Sequence, residues 1–141
     1  MKRIALALPL LVLCTGCVAR PAAPERLSES EWRFVQIDDY EPAEPDGARL
    51  SFGEEDVSAS VGCNTMVGKW RVEQGRLIAG PLAGTRMFCQ GDVWEQEQAV
   101  AALLVAAPTL EWQDADRLTL RSRGHSAELT RISVSPPQPG S

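Results

Sequence analysis

The sequence predicts an α+β fold: a curved antiparallel β-sheet, a meander or half-barrel, packed on one main α-helix. Three observations carry this expectation. Apolar and polar residues alternate with period two through a series of short segments. Turn sequences rich in Gly, Pro and acids separate those segments at hairpin spacing. One stretch, from Asp92 to Ala107, instead repeats its apolar residues at helical spacing and then meets Pro108.

The elements follow in order. "LSESEW" places Ser28 and Glu31 at capping-box spacing, so a short helical turn is expected before Trp32. "RLSFG" puts Leu50 and Phe52 on one face, and "VSASV" does the same with Val57, Ala59 and Val61. "MVGKWRV" aligns Met66, Gly68, Trp70 and Val72. "RLIAG", "TLEWQ", "RLTLRS" and "SAELTRI" continue the alternation, with "PDG", "GEED", "EQG", "DAD" and "SRG" as turns between strands that bury one face. Arg49, Arg76 and Arg117 each precede a Leu at a strand start, without a true internal repeat. In the helix, Asp92 is placed to cap and Glu95 to complete a capping box. Val93, Val100, Leu103, Leu104 and Ala107 form its apolar side, while Glu95 and Gln98 face out.

The 141 residues suit one domain. Residues 1–16 read as a signal peptide: Lys2 and Arg3, then an apolar run from Ile4 to Cys14 too short to span a bilayer. "LCTGC" resembles a bacterial lipobox, in which Cys17 becomes a lipidated N-terminus; Cys14 stands where Leu is usual. The alternative is an ordinary signal peptide with chance cysteines. Residues 17–26 are expected to be a tether, 27–132 the folded domain, and 133–141 a disordered Pro-rich tail.

Removing Lys2 and Arg3 takes the formal net charge of −5 two units lower. An acidic surface is a poor match for nucleic acid, and no polybasic membrane patch is present. Membrane attachment would come from the lipid alone. Val18, rather than Asp, follows Cys17, which by the lipoprotein sorting pattern favours an outer-membrane protein facing the periplasm of a Gram-negative cell.

Cysteine arithmetic narrows the chemistry. Cys14 leaves with the signal and lipidation occupies Cys17, so Cys63 and Cys89 remain as a pair in a disulfide-permissive compartment. Structural zinc wants four ligands, and two distant cysteines with the single His125 do not supply them, so neither metal nor cofactor is expected. Thiol catalysis wants an adjacent base, and a lone His in "RGHS" reads as solvated. A disulfide staple between Cys63 and Cys89 is the favoured reading; two reduced cysteines packed as small hydrophobes are the alternative. The acidic runs at Asp38-Asp39 and Glu54-Glu55-Asp56 read as solvated turns, since neither forms a calcium-loop ladder. Glu95 and Glu97, two apart on a helix, point to different faces and are no acid–base pair. G-x-S-x-G, P-loop and dinucleotide motifs are absent from the sequence. Trp32, Trp70, Trp94 and Trp112 read as core and rim, or as the lining of an apolar groove.

"GCNTMVGKW" followed by "GTRMFCQGDVWEQEQAVAALL" closely resembles the META/HslJ domain family of exported bacterial proteins. The matching positions are Gly62, Cys63, Asn64, Gly68, Trp70, Thr85, Arg86, Met87, Cys89, Glu95, Leu103 and Leu104. The resemblance implies a heat-shock-associated, often membrane-anchored protein linked to novobiocin resistance, without a settled biochemical activity. The function expected is therefore a lipid-anchored, non-enzymatic envelope domain, monomeric, that supports envelope integrity under stress or antibiotic challenge, with an envelope protein as a possible partner. The alternative is a carrier or sensor that binds an acyl chain or another small apolar ligand in the concavity of the sheet.

Overall fold

The structure, a computed structural model, describes residues 16–133. The expected signal peptide up to residue 15 and the expected tail from residue 134 lie outside the described residues. Among the described residues two helices, α1 (Ala23–Leu27) and α2 (Asp92–Val105), accompany nine strands: β1 (Ser30–Ile37), β2 (Ala48–Phe52), β3 (Asp56–Val61), β4 (Thr65–Glu73), β5 (Arg76–Ala79), β6 (Ala83–Gly84), β7 (Thr109–Trp112), β8 (Arg117–Arg121) and β9 (Ser126–Arg131).

Eight of the strands form a closed antiparallel barrel. Each of β1 to β4 pairs with the next, β5 meets β7, and β7 to β9 continue the meander. The last strand then returns to the first: Trp32 lies opposite Arg131 and Ile37 opposite Ala127. The short β6 adds to the edge of β4 beside β5, with the Gly80–Pro81 cis bond between them. The seam between β5 and β7 is the thinnest, held by the Arg76–Thr109 pair and by the Leu77 and Leu110 N–H groups donating to Pro108 and Gly75 carbonyls at 2.9 Å each.

The expected half-barrel on one main helix is therefore corrected to a closed barrel with two short helices. The reason is β1. The Ser28 and Glu31 spacing suggests a helical turn where the chain is already extended from Ser30. The helix lies upstream, where the Glu25 carboxylate accepts the Ala22 N–H at 3.3 Å, and α1 thus takes up the end of the expected tether. A bulge between Phe34 and Gln36 turns Val35 outward and breaks the alternation that marks a strand. Without β1 the sheet has two free edges; with it, neither remains on the ring.

The interior is filled. Trp32, Phe34, Leu50, Leu77, Leu118, Leu120 and Leu129 are all buried, and Val100, Leu103 and Leu104 of α2 belong to the same cluster. Helix α2 contacts β1, β3 and β5, which are not neighbours on the ring, so it lies across one mouth of the barrel. The other mouth carries α1. There the Arg26 guanidinium lies 3.5 Å from the Trp112 ring centroid and donates to the Asp114 carbonyl at 2.9 Å, and Arg131 donates to the Arg26 carbonyl at 2.8 Å. The eight residues of β1 run between the mouths, about 25 Å apart at strand rise.

Gly68 shows how closely β4 is packed. A Cβ there would sit 2.8 Å from the Pro81 carbonyl oxygen and 2.9 Å from Leu82 Cδ2. Gly68→Ala is expected to cost about 1–3 kcal/mol in urea unfolding, as overpacking does. Gly124→Ala, where a Cβ meets nothing within 4 Å, is the matched control and is expected to be near neutral. Equal midpoints for the two variants would refute the close approach.

Candidate functional site

Five of the family-motif residues, Gly62, Cys63, Asn64, Thr85 and Cys89, converge at the mouth that carries α2. Strand β3 ends at Val61, and the chain turns through Gly62 (φ +118°) and Cys63 to Asn64 before β4 begins. The turn requires glycine at position 62: a Cβ there would lie 2.5 Å from Glu44 Cβ. A disulfide joins Cys63 to Cys89, with Cα atoms 6.3 Å apart. It ties this turn to the segment that leads into α2. Closing a loop of that sequence separation, 26 residues, is worth about 3 kcal/mol in the chain-entropy account.

Asn64 is the hub. It is 5 % exposed, and its backbone N–H and both ends of its side-chain amide have partners. Its Oδ1 accepts from the Met87 N–H at 2.7 Å and the Thr85 hydroxyl at 2.9 Å. Its Nδ2 donates to Glu97 Oε1 at 2.9 Å, the Met87 carbonyl at 3.2 Å and Cys89 Sγ at 3.3 Å. Its backbone N–H donates to Glu97 Oε2 at 2.8 Å. Thr85 closes the circuit: its hydroxyl accepts from Thr65 N–H at 3.1 Å, and its own N–H donates to the Thr65 carbonyl at 3.2 Å. The segment that follows β6 and helix α2 meet on one amide, placed just before β4.

Glu97 is the residue the sequence reading missed. It is 6 % exposed, and among the described residues none of the ion pairs involves it. It accepts two N–H bonds, both from Asn64. Next to it, Gln96 does the equivalent work on the other side of α2: its Oε1 accepts from Ala43 N–H and its Nε2 donates to the Glu41 carbonyl, both at 2.8 Å. The signal was spacing. Gln96 and Glu97 fall three and four residues after Val93, on the stripe that continues through Val100 and Leu104.

Other motif residues serve elsewhere. Glu95 is exposed, and the helix N-cap is Gly91 (φ 67°), so the expected capping box of Asp92 and Glu95 does not form. Glu95 instead lines a surface cleft of about 510 Å³ with Asp38, Tyr40, Glu41 and Asp92. Trp70 packs edge-on to Phe52 at 5.1 Å and donates from Nε1 to the Gly53 carbonyl at 3.1 Å. Arg86, Met87 and Phe88 are exposed, Met87 by 62 % and Phe88 by 87 %. Of the tryptophans, Trp32 is buried, Trp70 and Trp112 pack half-buried against the core, and Trp94 is 44 % exposed.

Cys63, Cys89 and His125 are each engaged. The two sulfurs are bonded to each other, so neither is a nucleophile. His125 Nδ1 lies 3.0 Å from Asp38 Oδ2, and the neighbouring Ser122 hydroxyl bonds the His125 backbone rather than its ring.

Among solved structures, a solution NMR structure aligns with a TM-score of 0.68 and 24 % identity, over 78 % of this chain and 95 % of that one. A second, from Burkholderia xenovorans, aligns with a TM-score of 0.64 and 20 % identity, over 89 % and 99 %. Both share the fold. Heat shock protein HslJ of Escherichia coli strain K12 is 31 % identical over 98 residues, 63 % of this chain and 66 % of that protein's length. The model of the META domain matches residues 25–134, which takes in the whole barrel and both halves of the Asn64 network. This chain belongs to the META domain family.

Proposed function

We propose that this protein is a lipid-anchored, non-enzymatic interaction module of the bacterial envelope, supporting envelope integrity under stress or antibiotic challenge of the novobiocin kind. One observation carries the interaction reading. The barrel is filled, while the Asn64 network and the disulfide hold the apolar pair Met87 and Phe88 out in solvent. Ordering that segment around a polar hub lowers the entropy lost when the tip is covered. The filled axis also leaves the alternative, a carrier of an acyl chain inside the sheet, without a chamber for its cargo.

The geometry suits an anchored protein. Cys17 is exposed and precedes α1, at the mouth opposite the Met87–Phe88 tip. Val18 to Ala22, fully extended, spans about 17 Å. A lipid on Cys17 thus leaves the tip facing away from the anchoring surface.

The experiment is complementation of a deletion strain. Loss of the gene is expected to raise envelope leakage and novobiocin sensitivity, and the intact gene to restore both. Cys17→Ser is expected to release the protein from the membrane fraction. The Met87→Ser, Phe88→Ser double variant, altered only at exposed positions, is expected to fold and localise normally yet fail to complement. An unchanged deletion strain would remove the envelope role, and full complementation by the double variant would remove the tip.

A further inference from the structure

We propose that, once its disulfide is reduced, the cluster of Cys63, Cys89 and Glu97 binds one thiophilic divalent cation of the zinc class. The ligand atoms of these three residues all lie within 4.8 Å of one another. Counting cysteines and histidines along the sequence could not find this site, because its third ligand is a carboxylate brought in by α2.

Three features make the cluster more than a coincidence of spacing. Glu97 is a buried carboxylate without an ion pair among the described residues, and a buried charge is costly unless a cation or a full set of donors answers it. It accepts two N–H bonds, which leaves lone pairs for a metal. The ligand set is also chemically suitable. Zinc accepts thiolate sulfur at about 2.3 Å and carboxylate oxygen at about 2.0–2.2 Å, and three protein ligands with one open position are a common zinc arrangement. Two thiolates on one tetrahedral ion stand about 3.8 Å apart, within reach of Cα atoms separated by 6.3 Å. Finally, an outer shell is in place. Asn64 Nδ2 donates to both Glu97 Oε1 and Cys89 Sγ, so one amide orients two of the three ligands.

The chemistry balances in two steps. A dithiol reductant supplies two electrons and two protons to the Cys63–Cys89 bond and leaves as its own disulfide. The cation then displaces the two thiol protons and is held by two thiolates and the ionised Glu97. In either state the β3–β4 turn stays pinned to the segment that leads into α2, by a covalent bond when oxidised and by a metal when reduced. This inference stands apart from the envelope reading and does not need it.

The test uses the full chain carrying Cys14→Ser and Cys17→Ser, so that Cys63 and Cys89 are its only thiols. A water-soluble phosphine reduces it, taking up oxygen from water as the phosphine oxide. The near-ultraviolet circular dichroism of its tryptophans reports whether the fold is kept. Cadmium ion, a spectroscopic stand-in for zinc, is then titrated in, with thiolate-to-metal absorption and Tm as readouts. The expected result is one cadmium per reduced chain with a raised Tm, and no binding by the oxidised chain at the same concentrations. Glu97→Gln is expected to weaken binding about tenfold or more, and Cys63→Ser to abolish the absorption band. The proposal is overturned if the reduced chain binds no stoichiometric cadmium. It is equally overturned if Glu97→Gln binds as tightly, or if binding appears only after the near-ultraviolet signal is lost.

Discussion

Asn64→Ala is expected to destabilise the domain by about 3–4 kcal/mol, the scale for stripping partners from a buried charge network. The substitution deletes both functional ends of one amide. Glu97 keeps the backbone N–H of residue 64 and loses the side-chain donor, while Met87 N–H and the Thr85 hydroxyl lose their acceptor. Glu97 is the buried member, and an orphaned buried group costs about 1–3 kcal/mol, more when it is charged; Thr85 and Met87 are exposed residues and add less, and the losses overlap because the groups share one partner. Urea unfolding with the disulfide intact is the measurement. Asn64→Asp keeps the volume but replaces the Nδ2 donor with a second carboxylate against Glu97, so it is expected to be destabilising in the same measurement. A loss below about 1 kcal/mol for Asn64→Ala would mean water replaces the amide, and the hub would be no hub.

That network explains how far the sequence could be read. Strand alternation was legible because one face of each strand meets the core: Leu50 and Phe52 on β2, or Val57, Ala59 and Val61 on β3, are buried together. The apolar stripe of α2 was legible for the same reason. The closure of the barrel was not, because it depends on a single strand whose alternation is broken by the outward Val35. The G-C-N and T-R-M-x-C residues stood out as motifs, and Cys63, Asn64, Thr85 and Cys89 do meet. The family resemblance points to Glu95 on α2, whereas Glu97 makes the contacts with Asn64. The two lie two positions apart, and only a helix placed across the mouth decides which faces inward. A partner that arrives from 33 residues away leaves no trace in local spacing.

At the opposite mouth, Trp32→Ala is expected to cost about 3–5 kcal/mol, the range for truncating a large buried aromatic. Trp32 is fully buried and stands edge-on to Trp112 at 5.7 Å, with the Arg131 guanidinium 4.4 Å from its ring centroid. Its Nε1 donates to the Ser30 hydroxyl at 2.8 Å, and that hydroxyl donates to the Leu27 carbonyl at the end of α1. One ring thus joins the barrel wall to the helix that closes this end. Its removal opens a cavity and frees α1 together. The second effect is specific to this position: trypsin cleavage after Arg26, now buttressed by Trp112 and Arg131, is expected to accelerate more than global stability predicts. Trp32→Phe, which keeps most of the volume and loses the Nε1 bond, should cost about 1–2 kcal/mol and leave the Arg26 site protected. Because the two mouths are about 25 Å apart along β1, the costs of Trp32→Phe and Glu97→Gln should add within about 0.5 kcal/mol in the double variant. A larger deviation would mean that the two ends of the barrel communicate, and the mouth that carries the disulfide could then no longer be treated as independent of the mouth that follows the tether.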